Sequence, residues 1–99
     1  MINIVAILEV RDWEAFGEFE ARAIPIMRSH GGKLLSAFES ETSGATDAEN
    51  IEVHYLQFPT LDSFHAYRND PALNALSELR SKAIASTNLY VSRKEKSYE

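Results

Sequence analysis

Apolar and polar positions alternate with a period of two from Ile2 to Val10, with Ile2, Ile4, Ala6 and Leu8 on one face and Val5 and Ile7 on the other. A strand that is apolar on both faces belongs in the middle of a sheet with something packed on each side. At Trp13 the period changes. Trp13, Phe16, Phe19, Ala23, Ile24 and Met27 recur at helical spacing, Asp12 stands where a cap is needed, and Glu14 sits in the first turn. This predicts an amphipathic helix of roughly 16–18 residues. Pro25 removes one backbone hydrogen bond and crowds the preceding turn, so a kink or local break is expected near Arg22 to Pro25, within one helix and not between two separate elements. Gly31-Gly32 supplies the stop.

The second strand is expected from Lys33 to Thr42, losing apolar character toward its end, and the small polar run 43–50 reads as an exposed hairpin connection. Ile51, Val53 and Tyr55, with Leu56 and Phe58, mark a third strand that Pro59 stops. Thr60 then caps a short helix with Leu61, Phe64, His65 and Arg68 on one side. Asn69-Asp70-Pro71 ends it and starts another, with Asp70 as cap and Pro71 at the first helical position. Leu73, Leu76 and Leu79 form a narrow stripe on a helical segment over 72–83. The last strand runs from Ile84 to Arg93, with Leu89 and Val91 on one face and Asn88 and Tyr90 on the other.

The order is therefore βαββαβ. Right-handed crossovers place both helical regions on one face of a four-stranded antiparallel sheet, which is the ferredoxin-like α+β arrangement. Residues 1–93 form this single domain and 94–99 a polar C-terminal tail. The second sheet face is apolar on the first strand but carries Tyr55, Gln57, Asn88 and Tyr90 elsewhere. A face too apolar for water and too polar for a dry core suggests a partner sheet, hence a homodimer, enclosing a partly polar cavity.

Composition narrows the function classes. Ninety-nine residues leave no room for a second core, and a net charge of −5 without a basic stripe argues against nucleic acid as a partner. The only basic cluster, Arg93-Lys94-Lys96, reads as a solvated tail. No cysteine is present, so disulfides and thiolate chemistry are excluded. The apolar N-terminal run is too short for a membrane span or a convincing signal peptide, and the cytoplasm is the expected location, with no membrane partner.

The three histidines, His30, His54 and His65, lie in three different elements. Glu52 and His54 share a strand face and could contribute to a divalent site, but no third ligand follows, and no metal, haem or other cofactor is expected. His54 otherwise reads as a hydrogen-bonded or partly exposed strand histidine, and His30 as a cation at a helix C-terminus. Arg68, beside Leu61 and Phe64, needs a carboxylate partner of the protein, a ligand carboxylate, or a snorkelling path to water. Tyr55, Tyr67, Tyr90 and Trp13 are candidates for a pocket wall. Glu39 and Glu41 read as a solvated edge, and no phosphate loop, catalytic triad, flavin motif or nicotinamide motif occurs.

Phe58-Pro59-Thr60, Tyr67-Arg68 and Pro71, with Ile24-Pro25-Ile26 and His30-Gly31-Gly32-Lys33-Leu34 upstream, resemble the dimeric α+β barrel superfamily. The pattern is most similar to a bacterial branch of unknown function marked by Phe-Pro-Ser, an aromatic pair and then a proline. Arg68 stands where the second aromatic is usual, and Thr60 replaces the serine. The superfamily includes small monooxygenases, haem-degrading enzymes, dismutases and decarboxylases. The resemblance implies a homodimer that binds a small organic ligand in a cavity between sheet and helices, and an arginine at its mouth would favour an anionic one. The alternatives are a cofactor-independent monooxygenase or isomerase acting on an aromatic or polyketide-like substrate, and a structural dimerisation module without ligand. The residues expected at the cavity are Arg68, His65, Tyr55, Gln57 and Tyr90.

Overall fold

The computed structural model describes residues 1–40 and 50–98. In chain order they form β1 (Ile2–Val10), α1 (Trp13–Ser29), β2 (Lys33–Ser40), β3 (Ile51–Phe58), α2 (Leu61–Arg68), α3 (Pro71–Asn74), α4 (Ser77–Ala83) and β4 (Ile84–Val91). The strands make one antiparallel sheet in the order β2-β3-β1-β4. With α1 and the α2–α4 run covering one face, this is the ferredoxin-like α+β fold expected from the element order. The expected continuation of β2 to Thr42, the hairpin connection up to residue 49, and Glu41 lie outside the described residues. Among the described residues, no helix is long and apolar enough to cross a membrane.

β1 occupies the interior position its two apolar faces require. Ile4, Ala6, Leu8 and Val10 are buried beneath the helices, each 6% exposed or less. The opposite face is open. By register, Val5, Ile7, Phe38, Val53, Tyr55, Asn88 and Tyr90 lie on it, and Phe38 and Tyr90 are exposed. Asn3 organises one end of this face: its Oδ1 accepts from the Tyr55 hydroxyl and from Gln57 Nε2, both at 2.8 Å.

α1 starts where Asp12 Oδ1 accepts from the Ala15 N–H at 3.0 Å. Ala15, Phe16, Phe19, Ala23 and Met27 are its buried residues. As expected, Pro25 does not divide the segment into two elements: the helix runs through it without a local break. Pro25 and Ala21 are both exposed, so water can serve the carbonyl that loses its helical donor. The helix ends in a Schellman motif. Gly31, at φ 79°, donates to the Arg28 carbonyl at 2.9 Å, and Gly32 donates to the Met27 carbonyl at 3.0 Å.

Beyond β3, Thr60 and Ser63 cap α2 reciprocally, and Asp70 caps α3 by accepting from the Ala72 N–H at 2.8 Å, with Pro71 in the first turn. The helix expected over 72–83 divides between Asn74 and Ser77. Leucines at 73, 76 and 79 are three apart, a spacing that a 3.6-residue turn rotates steadily off one face. The tight turn closed by Leu76 N–H to the Leu73 carbonyl, 2.9 Å, lets all three pack on the same cluster.

The core on the helical face is in two parts. One gathers Phe16, Phe19, Ala23, Leu8 and Ile84 and the other Ile4, Met27, Leu56, Phe58 and Phe64, with Leu89 packed against both. Gly32 sits against the second. A Cβ there would lie 2.6 Å from both Met27 Cγ and Phe58 Cζ, and Phe58 is fully buried. Gly32→Ala is therefore expected to lower unfolding free energy by about 1–3 kcal/mol, the usual range for overpacking. Urea unfolding measures it, and a variant as stable as the wild type would show that the ring relaxes freely.

Candidate functional site

Where the two parts of the core fail to meet, the helical face holds a cavity of about 370 Å³. Its floor is Ala6, Leu8 and Leu56 of the sheet, and α1 contributes Phe19, Glu20 and Ile24. Tyr67 and Leu73 stand opposite, and the exposed residues Arg68, Asn74, Ser77 and Arg80 mark the mouth. The floor is apolar because strand alternation sends the even-numbered residues of β1 and β3 toward the helices.

One polar residue interrupts that floor. His54 lines the cavity, is 5% exposed and is the one buried polar side chain among the described residues. Its Nε2 is 2.5 Å from Glu52 Oε2, two residues back on the same face of β3. Above it on α1, Glu20 shares a flank with Phe16 and Ile24, four residues to either side. Burial holds the Glu20 carboxyl above its ordinary range; His54 and Arg80 draw it back and Glu52 pushes it further up. Burial likewise pushes the Tyr67 phenol up to about 12, with Glu20 adding to the rise and Arg80 opposing it. Tyr67 therefore keeps its proton at neutral pH and can donate to an acceptor in the cavity.

Two guanidinium groups flank the mouth. Arg80 Nη2 donates to Thr87 Oγ1 at 2.9 Å, and Arg68 lies over the Phe64 ring at 5.6 Å from its centroid. Neither forms an ion pair among the described residues. Behind them, the His30 ring, 6.3 Å from that of Tyr67, shares a hydrogen bond with Asp70 Oδ2 at 2.8 Å. That bond, with the Ala72 N–H, holds the Asp70 carboxyl below its ordinary range. His30, at the end of α1, thus has a specific partner at the start of α3.

The structure divides the residues expected at one cavity. Arg68 lines it. His65 does not: it is exposed on α2, its ring against Phe64. Tyr55, Gln57 and Tyr90 occupy the opposite sheet face, so they cannot share a site with Arg68 within one chain. The reason is the alternation itself, since the cavity lies on the face of His54 and Leu56. Trp13 is also outside, edge-on to Phe16 at the start of α1. Glu20 and Arg80 carried a weaker signal. A carboxylate at the middle of the Phe16–Ile24 flank marks Glu20 in the sequence, but Arg80 reads as an ordinary surface cation. Among the described residues, no group of three or more His, Cys, Asp or Glu side chains is placed to hold a metal ion.

The two perturbed carboxyls have opposite consequences for stability. Glu20 holds its proton to higher pH folded than unfolded, so stability falls as pH rises above 4.5 and through its elevated value. Asp70 contributes stability above its ordinary value that is lost as pH falls through the lowered one. Glu20→Gln is expected to flatten the fall of the thermal midpoint as pH rises above 4.5 while leaving the acid-side loss unchanged. Thermal melts across that range check it, and a variant less stable than the wild type near pH 8 would mean that the Glu20 charge is favourably paired.

Among curated proteins, none matches this sequence. Among solved structures, a protein of unknown function from Rhodopseudomonas palustris is similar with a TM-score of 0.75 at 14% identity, over 97% of this chain and 83% of its own. SnoaB, a cofactor-independent oxygenase from Streptomyces nogalater, has a TM-score of 0.70 at 12% identity, over 98% of this chain and 95% of its own. A dimeric protein of unknown function and ferredoxin-like fold from Bacteroides fragilis has a TM-score of 0.61 at 12% identity, over 94% and 95% of the two chains. At such identities the likeness is one of fold. The sequence itself matches a family over residues 3–93, nearly its whole length, and the chain belongs to that family, the domain of unknown function DUF1330.

Proposed function

We propose that this chain is a cytoplasmic homodimer, paired through its open sheet faces, in which each copy binds a small organic anion in the cavity beneath the helices. The observation that carries the ligand reading is the cavity's construction. It has an apolar floor, a volume of about 370 Å³ within the usual range for small-molecule sites, and two guanidinium groups at its mouth that form no ion pair among the described residues. In a protein of net charge −5, such groups can receive a ligand carboxylate or phenolate, Arg80 while it also faces Glu20. The dimer reading rests on Val5, Ile7, Phe38 and Val53 lying together on a face without helices, and on the dimeric fold neighbour. A second reading, a cofactor-independent enzyme acting on an aromatic or polyketide-like substrate, uses the same cavity. The cluster of His54, Glu52 and Glu20 favours it over a ligand-free dimerisation module.

Light scattering at micromolar concentration is expected to give twice the chain mass of 11.2 kDa, and a clean monomer mass would overturn the pairing. For the ligand, calorimetry with 2-naphthoate and its neutral analogue 2-naphthalenemethanol is expected to show tighter binding of the anion. Arg80→Gln should weaken naphthoate by about 1.5–3 kcal/mol, the range for a hydrogen bond to a charged group, and leave the alcohol unchanged. Failure of both probes to bind would remove the ligand reading, whereas equal binding of both would remove only the anion.

A further inference from the structure

We propose that His54, oriented by Glu52, is a general base that takes a proton from an organic acid bound in the cavity. The inference rests on the reading of that cavity as a ligand site and adds an activity to it. The substrate class is an apolar molecule with an acidic C–H beside a carbonyl, or an acidic phenol, whose conjugate base is the anion the mouth arginines accommodate.

His54 sits on the face that β3 otherwise fills with Leu56 and Phe58, and packing alone would be served by another apolar residue. Its Nε2 faces a carboxylate oxygen, which only accepts, so that nitrogen carries the ring proton. Nδ1 then holds the lone pair, and no described residue is hydrogen-bonded to it. A buried imidazole that lines a cavity, with one nitrogen tied to a carboxylate and the other unengaged among the described residues, can serve in proton abstraction. Phe16, whose ring centroid is 6.1 Å away, and Glu20 face it from α1, Glu52 from its own strand and Arg80 from α4. In the step itself the C–H bond breaks, the proton passes to Nδ1, and the electron pair moves onto the carbonyl oxygen. The resulting enolate has the protonated Tyr67 hydroxyl and the Arg80 guanidinium in the same cavity, and return of the proton to another carbon completes an isomerisation.

A probe that needs no knowledge of the natural ligand is 5-nitrobenzisoxazole. Loss of its C3 proton to a base opens the N–O bond and releases a coloured cyanonitrophenolate, with no other reactant. The wild-type protein is expected to accelerate this reaction saturably, above the same concentration of free imidazole at the same pH. His54→Gln should lose about 100-fold or more of that rate, within the range for general-base catalysis. Glu52→Gln, which can still accept the ring N–H, should lower kcat by about tenfold with KM unchanged, as befits a positioning residue. A wild-type rate no greater than that of imidazole, or a rate that survives His54→Gln, overturns the assignment. Naphthoate binding is scored separately, so the base can fail while the ligand site stands.

Discussion

The packing of α1 across the middle of the sheet is the constraint on which the helical layer depends. Phe16, Phe19, Ala23 and Met27 recur on the face that meets Ile4, Ala6, Leu8 and Leu56, and this is the one long helix among the described residues. The second crossover is built from pieces of 8, 4 and 7 residues, capped by Thr60 and Asp70 and interrupted at Ala75-Leu76. Of these pieces only α2 fully buries a large side chain, Phe64, while Leu73, Leu76 and Leu79 are partly buried. They complete the core at either end, with Phe64 at one and Leu76 and Leu79 at the other, and leave a gap between. The cavity is thus a product of element length, and no special loop is needed to form it.

Within that gap, strand alternation and desolvation act together. A histidine on the helix-facing side of a central strand must be buried, and a buried imidazole must be hydrogen-bonded. Glu52, one alternation away, meets the requirement from the same strand. Its charge, next to Glu20, makes the wall electrostatically crowded with acids, and Arg80 provides the compensation from across the cavity. The consequence is a cavity wall of hydrogen-bonded and charged groups, with the Glu20 carboxyl held above its ordinary range, that apolar packing of the same volume would lack.

Most of the architecture was legible in the sequence because it is written locally. The switch from period two to helical period at Trp13, the caps Asp12, Thr60 and Asp70, and the Gly31-Gly32 stop each rest on neighbouring residues alone. Alternation also separates Leu56 and Phe58 from Tyr55 and Gln57, but which of the two faces meets the helices is settled only in the fold. The site was less legible for a physical reason. Tyr55, Gln57 and Tyr90 invite notice because they are polar or aromatic among apolar neighbours, yet that pattern says only that their face is not a dry core. The gap that makes a pocket depends on how far α3 and α4 stand from α1, and nothing in the local spacing of Glu20 or Arg80 records that distance. Pro25 shows the converse: a residue with strong local meaning is absorbed because its side of the helix faces water.

The irregularities of the sheet fall where the two outer strands meet their inner neighbours. The β2–β3 register slips between Leu34 and Ser36, leaving Leu35 as the extra residue, and the β1–β4 register slips between Glu9 and Val10, leaving Ala85. Both outer strands therefore depart from a straight, regular row of donors and acceptors, and a bulged edge is a poor template for another chain to add to. Runaway strand addition, the route by which open sheets grow into fibres, is discouraged at both margins. In the proposed homodimer, contact between copies is then left to the broad face of the sheet, an isologous pairing that uses the same patch on both.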